Sequence, residues 1–237
     1  MPNAVICLPT YNERENLESM LRALAPLGLN VLVIDDNSPD GTGQIADRLA
    51  EELDFVSVLH RAQKEGLGPA YLAGFRRALA DGADYVLEMD CDFSHKPADA
   101  VRLLSACENG ADLALGSRYV DGGGTENWGL TRRIISVGGS LYARAVLGVP
   151  FHDLTGGFKC YRRAVLERID LDAIQSKGYA FQIEGTYRTL RAGFTVVEVP
   201  ITFVDRTAGQ SKMSRTIFLE AVKKVPALRL AALRGRL

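Results

Sequence analysis

Cysteine, histidine and tryptophan are scarce in this chain of 237 residues: four, three and one. Cys7, Cys91, Cys107 and Cys160 lie far apart with no C-x-x-C, so neither a zinc ribbon nor a disulfide framework is indicated and reduced thiols filling core space are expected. No apolar run reaches the roughly 18 residues of a membrane-crossing helix. The opening MPNAVICLPT has neither the basic start nor the small-residue cleavage site of a secretory signal, and the chain is expected to stay in the cytoplasm. Internal repeats, low-complexity tracts and long Pro/Gly/Ser linkers are also missing. With 47% hydrophobic residues, one well-buried domain with a C-terminal appendage is the expectation.

Net charge is also small, −1 overall, but it is unevenly placed: residues 212–237 hold seven Lys/Arg against one Glu. That tail mixes Ile217, Phe218, Val222, Val225, Leu228 and Leu233 with Lys223, Lys224, Arg229, Arg234 and Arg236. The composition suits an amphipathic helix on an anionic membrane surface, kinked at Pro226. The alternative is an ordinary C-terminal helix packed on the domain.

What the chain does contain is an alternation of short β-branched runs with helical stretches. AVICLP, NVLVIDD, FVSVLHR, DYVLEMD and DLALGS read as strands. Helices are predicted after Asn12, which can cap with Glu15, near 42–52, over LGPAYLAGFRRALADG and after Lys96-Pro97. Strands apolar on both faces imply a mostly parallel central sheet flanked by helices, a Rossmann-like α/β fold. The second half is less regular: a Gly/Arg-rich stretch over 116–133, helices near 131–147 and 180–192, and the late strand run FTVVEVPITFV, divided by Pro200.

Polar residues recur where the strands end: PTYNE, Asp35-Asp36, Asp90-Cys91-Asp92 and Ser117-Arg118, on the rim where such sheets bind ligands. Neither G-x-G-x-x-G nor a P-loop follows the first strand, which disfavours dehydrogenase and NTPase readings. Asp90 and Asp92 lie two apart, so in extended backbone they address one side. With oxygen ligands and no His/Cys cluster, the acids point to Mg²⁺ or Mn²⁺. A solvated pair of loop charges is the plainer reading of such a D-x-D. Arg118, Arg132, Arg133, Arg206 and Lys212, beside Gly- and Ser-rich turns, suit phosphate oxygens; singly, each is an ordinary surface charge. His95 and His152 are candidate bases with a structural role as the alternative. Asp153 is a turn former or a shaper of the acceptor side, and Trp128 either meets lipid or tucks onto the core.

The segments LPTYNERENL, VIDDNSPDGT, GLGPAYLAGF, EMDCDFSH, LGSRYV, NWGLTRRIIS, DLTGGFKCYRR and VEVPITFVDRTAGQSKM together resemble family 2 glycosyltransferases of the dolichol-phosphate (polyprenol-monophosphate) mannose synthase type, over residues 4–215. The resemblance implies a glycosyltransferase A-type fold and metal-dependent, inverting transfer of mannose from GDP-mannose to a polyprenyl phosphate. It implies a nucleoside pocket of Pro9, Tyr11, Glu13, Ile34 and Asp36, with Asp90 and Cys91 lining the donor. Asp92 and Ser94 would face the metal, Arg118, Arg206 and Lys212 would clamp phosphates, and Arg132 with Ser136 would hold the lipid phosphate. Some members have alanine and glutamine where this chain has Cys91 and Ser94; serine is a shorter ligand, and a water would intervene between it and the metal. Residues 1–213 are thus expected to form the catalytic domain and 214–237 the membrane-surface helix, with a separate membrane-anchoring protein as a further possible partner. Competing readings are a UDP-glucose-dependent polyprenyl-phosphate transferase, a nucleotidyltransferase and a noncatalytic membrane-recruiting subunit.

Overall fold

The computed structural model describes residues 3–176, 178–205, 215–235 and 237. The first half lays down β1 (Ala4–Thr10), β2 (Asn30–Asp35), β3 (Val56–His60), β4 (Tyr85–Glu88) and β5 (Leu113–Ser117), joined by α1 (Leu17–Leu24), α2 (Thr42–Glu52), α3 (Leu67–Ala80) and α4 (Pro97–Glu108). Then follow β6 (Gly124–Glu126), α5 (Leu130–Leu147), β7 (Lys159–Arg162), α6 (Arg163–Arg168), α7 (Gly178–Arg191), β8 (Val196–Pro200), β9 (Thr202–Val204) and α8 (Arg215–Leu233).

The main sheet has the order β3-β2-β1-β4-β7-β5-β8, with β6 and β9 paired separately. Every pairing in the main sheet is parallel except those of β7, which runs antiparallel to both β4 and β5. The expected α/β architecture with a mostly parallel sheet is therefore present. The inserted antiparallel strand was not foreseen, because KCYR is only four residues long and carries a lysine.

Alternation along the strands divides the core between the two faces. Ile6, Leu8, Val31 and Val33 pack with Leu17, Leu21, Leu49 and Leu103 of α1, α2 and α4. Val5, Cys7, Leu32 and Ile34 pack on the other face with Tyr71, Phe75 and Phe181 of α3 and α7. A third cluster joins α5, α7 and α8 through Leu147, Ile183, Tyr187, Val225 and Leu228. The C-terminal helix thus rests its apolar side on the domain, and it continues through Pro226.

One local expectation changes. Asn12 is not a helix cap: it sits at φ 59°, its N–H donates to Ser38 Oγ at 3.1 Å, and α1 starts only at Leu17. The short polar side chain tolerates this left-handed turn, which carries the chain from β1 across the end of β2. Pro200, by contrast, divides the late strand run as expected: β8 stays in the main sheet and β9 leaves it to pair with β6.

Close packing behind the site has a testable consequence at Gly68, where α3 meets the segment before α7. A Cβ there would lie 2.5 Å from the Ser176 carbonyl oxygen and 3.1 Å from Phe181. Gly68→Ala should cost about 1–3 kcal/mol through overpacking, read as a lower melting temperature in thermal denaturation.

Candidate functional site

The C-terminal ends of β1 and β2 bring together the residues assigned to the nucleoside. Pro9 and Ile34 are register partners, and Asp36 N–H bonds to the Thr10 carbonyl at 3.1 Å. Glu13 N–H donates to Thr42 Oγ1 at 3.0 Å, and Lys64 lies 3.8 Å above the Tyr11 ring. The two adjacent acids separate by environment. Asp35 is taken up by Ser38 Oγ at 2.6 Å and Thr10 Oγ1 at 3.3 Å, whereas Asp36 receives Arg61 Nη1 at 2.5 Å. Burial pushes the Asp36 carboxyl up more than Arg61 pulls it down. The Ile34 side chain lies wholly in the core.

Beyond β4, the turn EMDCDFSH is organised by its own polar groups. Asp92 is nearly buried, and its Oδ1 accepts both the Ser94 N–H at 3.1 Å and the Ser94 hydroxyl. The Ser94 hydroxyl therefore orients the Asp92 carboxylate. Asp90 lies within 3.5 Å of the Tyr71 hydroxyl. The Cys91 side chain is buried in the apolar cluster with Leu87 and Met89. His95 closes the turn: its Nδ1 accepts the Asp90 N–H at 3.2 Å, and its ring stacks on Phe158 at 4.6 Å. Burial lowers its pKa from 6.5 to about 4 against the pull of Asp92, so the ring is neutral at pH 7 and serves the turn. Among the described residues no three His, Cys, Asp or Glu side chains form a complete metal cage. The carboxylates of Asp90 and Asp92, with oxygen donors only, fit a hard cation that keeps waters and takes its remaining ligands from phosphate oxygens.

At the end of β5, Arg118 is buried in a bidentate pair with Asp153, Nε to Oδ2 at 2.6 Å and Nη2 to Oδ1 at 2.7 Å. Asp153 also accepts the Arg118 N–H at 3.0 Å, and Thr155 Oγ1 accepts Nη2 at 3.0 Å. For Asp153, burial raises the pKa but the Arg118 charge and hydrogen bonds outweigh it, leaving the carboxyl below its ordinary value. The pairing itself was missed in the sequence, where Asp153 reads equally as a turn former or a shaper of the acceptor side; its only signal is an acid near a Gly-Gly turn.

Arg118 and Arg132 come together at Trp128, and Ser136 is tied to the neighbouring Tyr119. Arg132 stacks on Trp128 at 4.3 Å, and Arg118 lies 5.4 Å from the same ring. Tyr119, next to Arg118, donates its hydroxyl to Ser136 Oγ at 2.7 Å, and Arg132 pairs with Asp205. Trp128 thus has two guanidinium groups close to its ring. Arg206 and Lys212 lie outside the described residues.

A second feature escaped the sequence reading. Glu88, inside the apolar run before the acids, is the register partner of Lys159 on β7. Both are fully buried. Burial raises Glu88 to about 7 and lowers Lys159 to about 8, each shift moderated by the other's charge, while Lys159 Nζ donates to the Gln182 carbonyl at 2.6 Å.

Comparison with known proteins adds three findings. The family profile described as Glycosyl transferase family 2 matches residues 5–170. The chain is 51% identical to a polyprenol monophosphomannose synthase of Mycolicibacterium smegmatis, covering 98% of this chain and 88% of that protein. It is 52% identical to an undecaprenyl-phosphate mannosyltransferase of Micrococcus luteus, covering 97% of each. In fold it is similar to glucosyl-3-phosphoglycerate synthase from Mycobacterium tuberculosis in complex with Mn²⁺ and uridine-diphosphate-glucose, with a TM-score of 0.67, 20% identity, and 99% and 79% of the two chains covered.

Two outcomes test the geometry. Removing one partner of a buried ion pair strands the other charge, so Asp153→Ala should cost about 3–5 kcal/mol in urea denaturation. An unfolded His95 takes up a proton below about pH 6.5 and a folded one only near 4; its share of stability is present above 6.5 and lost as pH falls through that window. The difference in stability between native and His95→Asn proteins should therefore shrink from pH 7.5 to pH 4.

Proposed function

Because the chain belongs to glycosyl transferase family 2, we propose that it moves mannose from GDP-mannose to the phosphate of a polyprenyl lipid, with inversion at the anomeric carbon. Supporting the acceptor is the identity of about half the residues, over nearly the whole length, to two relatives named for polyprenol or undecaprenyl phosphate and mannose. The single structural observation that carries the reading is the meeting of Arg118 and Arg132 at Trp128, with Ser136 bonded to Tyr119 beside Arg118, a cationic and hydroxyl-bearing corner suited to a phosphate monoester.

In this reading the donor lies across the ends of β1, β2 and β4. Pro9, Tyr11, Glu13 and Asp36 surround the nucleoside and Asp90 lines the sugar side, while the side chains of Ile34 and Cys91, also assigned there, pack in the core behind them. Asp92, braced by Ser94, would hold Mg²⁺ or Mn²⁺, which supplies Lewis-acid stabilisation of the departing diphosphate. Arg206 and Lys212 add positive charge there. The acceptor phosphate, with a second pKa of about 6, is already largely ionised and needs no general base. A neutral, buried His95 agrees with that economy. Arg118 and Arg132 orient the attacking oxygen, while the buried Arg118–Asp153 pair keeps the guanidinium plane from turning.

A lipid acceptor also requires contact with a membrane surface. No helix among the described residues is long and apolar enough to cross a membrane. On α5, however, Leu130, Ile134, Val137 and Leu141 are 74%, 62%, 41% and 61% exposed, and their spacing forms one helical stripe. The same helix carries Arg132 and Ser136. This stripe, together with the basic side of α8, is the surface we assign to the cytoplasmic leaflet, with peripheral attachment and room for a separate anchoring protein.

Incubation with labelled GDP-mannose or UDP-glucose and a polyprenyl phosphate should yield lipid-linked mannose only, and EDTA should abolish it; lipid-linked glucose instead would overturn the donor. Asp92→Asn should lower kcat by roughly a hundredfold or more. In liposome flotation with anionic vesicles, Ile134→Ser/Leu141→Ser protein should remain largely in the dense fraction while native protein floats.

A further inference from the structure

One carboxylate outside the assigned site gathers hydrogen bonds from three different segments. Glu198 lies on β8, opposite Leu115 of β5, with a side chain only 9% exposed. Its Oε1 accepts the Ser117 hydroxyl at 2.7 Å and the Asp153 N–H at 3.0 Å. Both oxygens lie 3.0 Å from the His152 N–H, and Oε2 is 2.9 Å from His152 Nδ1. A carboxylate only accepts, so His152 carries its proton on Nδ1.

These contacts have a common target. Ser117 immediately precedes Arg118, and Asp153 is the residue that grips Arg118 from two sides. Glu198 therefore ties the end of β5 and the loop of residues 152–153 to one point, fixing where each half of the Arg118–Asp153 pair begins. Among the described residues its ion pair is with His152, and that of Arg118 is with Asp153. We propose that Glu198 is a positioning residue that sets Arg118 for the acceptor phosphate, with His152 as its solvent-side partner; this rests on the acceptor site proposed above. The role explains why an acid stands in VVEVP, where only apolar residues would be needed to pair with β5.

The test exploits a change of one atom type. Glu198→Gln keeps the volume, but whichever way the amide is turned its N–H₂ group faces an N–H donor, that of His152 at the Oε2 position or those of residues 152 and 153 at the Oε1 position, so the loop must shift by a fraction of an ångström. Equilibrium binding of a short-chain, water-soluble polyprenyl phosphate should weaken roughly tenfold, as small misplacements of orienting groups do, with GDP binding unchanged within about twofold. Steady-state KM values for acceptor and donor should split the same way. In an Arg118→Lys background Glu198→Gln should add little, because both changes act on one group. If Glu198→Gln does not fold, Ser117→Ala removes a single bond of the cluster and should show the same split more weakly.

Unchanged acceptor binding in these variants, or equal losses for donor and acceptor, would overturn the positioning role. Native protein that binds no polyprenyl phosphate would instead overturn the acceptor reading, and the role of Glu198 with it.

Discussion

The buried ion pair between Arg118 and Asp153 is the constraint around which the second half of the chain is arranged. Two charges taken out of water repay their desolvation only with close geometry and with their remaining hydrogen-bonding groups satisfied. The fold meets that demand from several segments: the end of β5 supplies the arginine, the loop before β7 the carboxylate and Thr155, and β8 the acid that fastens both. Helix α5 is drawn in by Tyr119 on Ser136 and by Ser140 on Thr155. The phosphate site proposed above is thereby built on a guanidinium that already has its carboxylate partner.

Much of this was legible before any coordinates. Strands with apolar residues on both faces announced the parallel sheet, and polar residues at matching strand ends marked the rim that carries the site. Asp36, Asp90, Asp92 and Arg118 lie on that rim. The exceptions have physical causes. Asn12 looked like a cap because an Asn three residues before a Glu is the usual signal, yet its left-handed conformation serves a turn. Glu88 and Lys159 were invisible as a pair because cross-strand partners 71 residues apart leave no periodic trace. Asp153 and Glu198 were invisible for the same reason: a local pattern reports which face a residue occupies, not which distant residue it meets.

The two ends of the site differ in character. On the β1–β2 side, short side chains and backbone amides close the crevice through hydrogen bonds such as Asn12 to Ser38 and Glu13 to Thr42. On the α5 side, aromatic rings and guanidinium groups interleave, with Trp128 and Phe203 edge to face at 5.3 Å. The first suits a hydrated nucleotide; the second suits a charged head attached to an apolar chain. The exposed stripe of α5 continues that second character outward from the phosphate corner.

Strand β7 gives the site a length scale. Because it runs between β4 and β5, the acids that follow one strand and the arginine that follows the other stand two strand spacings apart, about 10 Å in the plane of the sheet. Direct pairing of β4 with β5 would halve that gap. The four residues Lys159–Arg162 therefore act as a spacer between the acids that follow β4 and the arginine that follows β5.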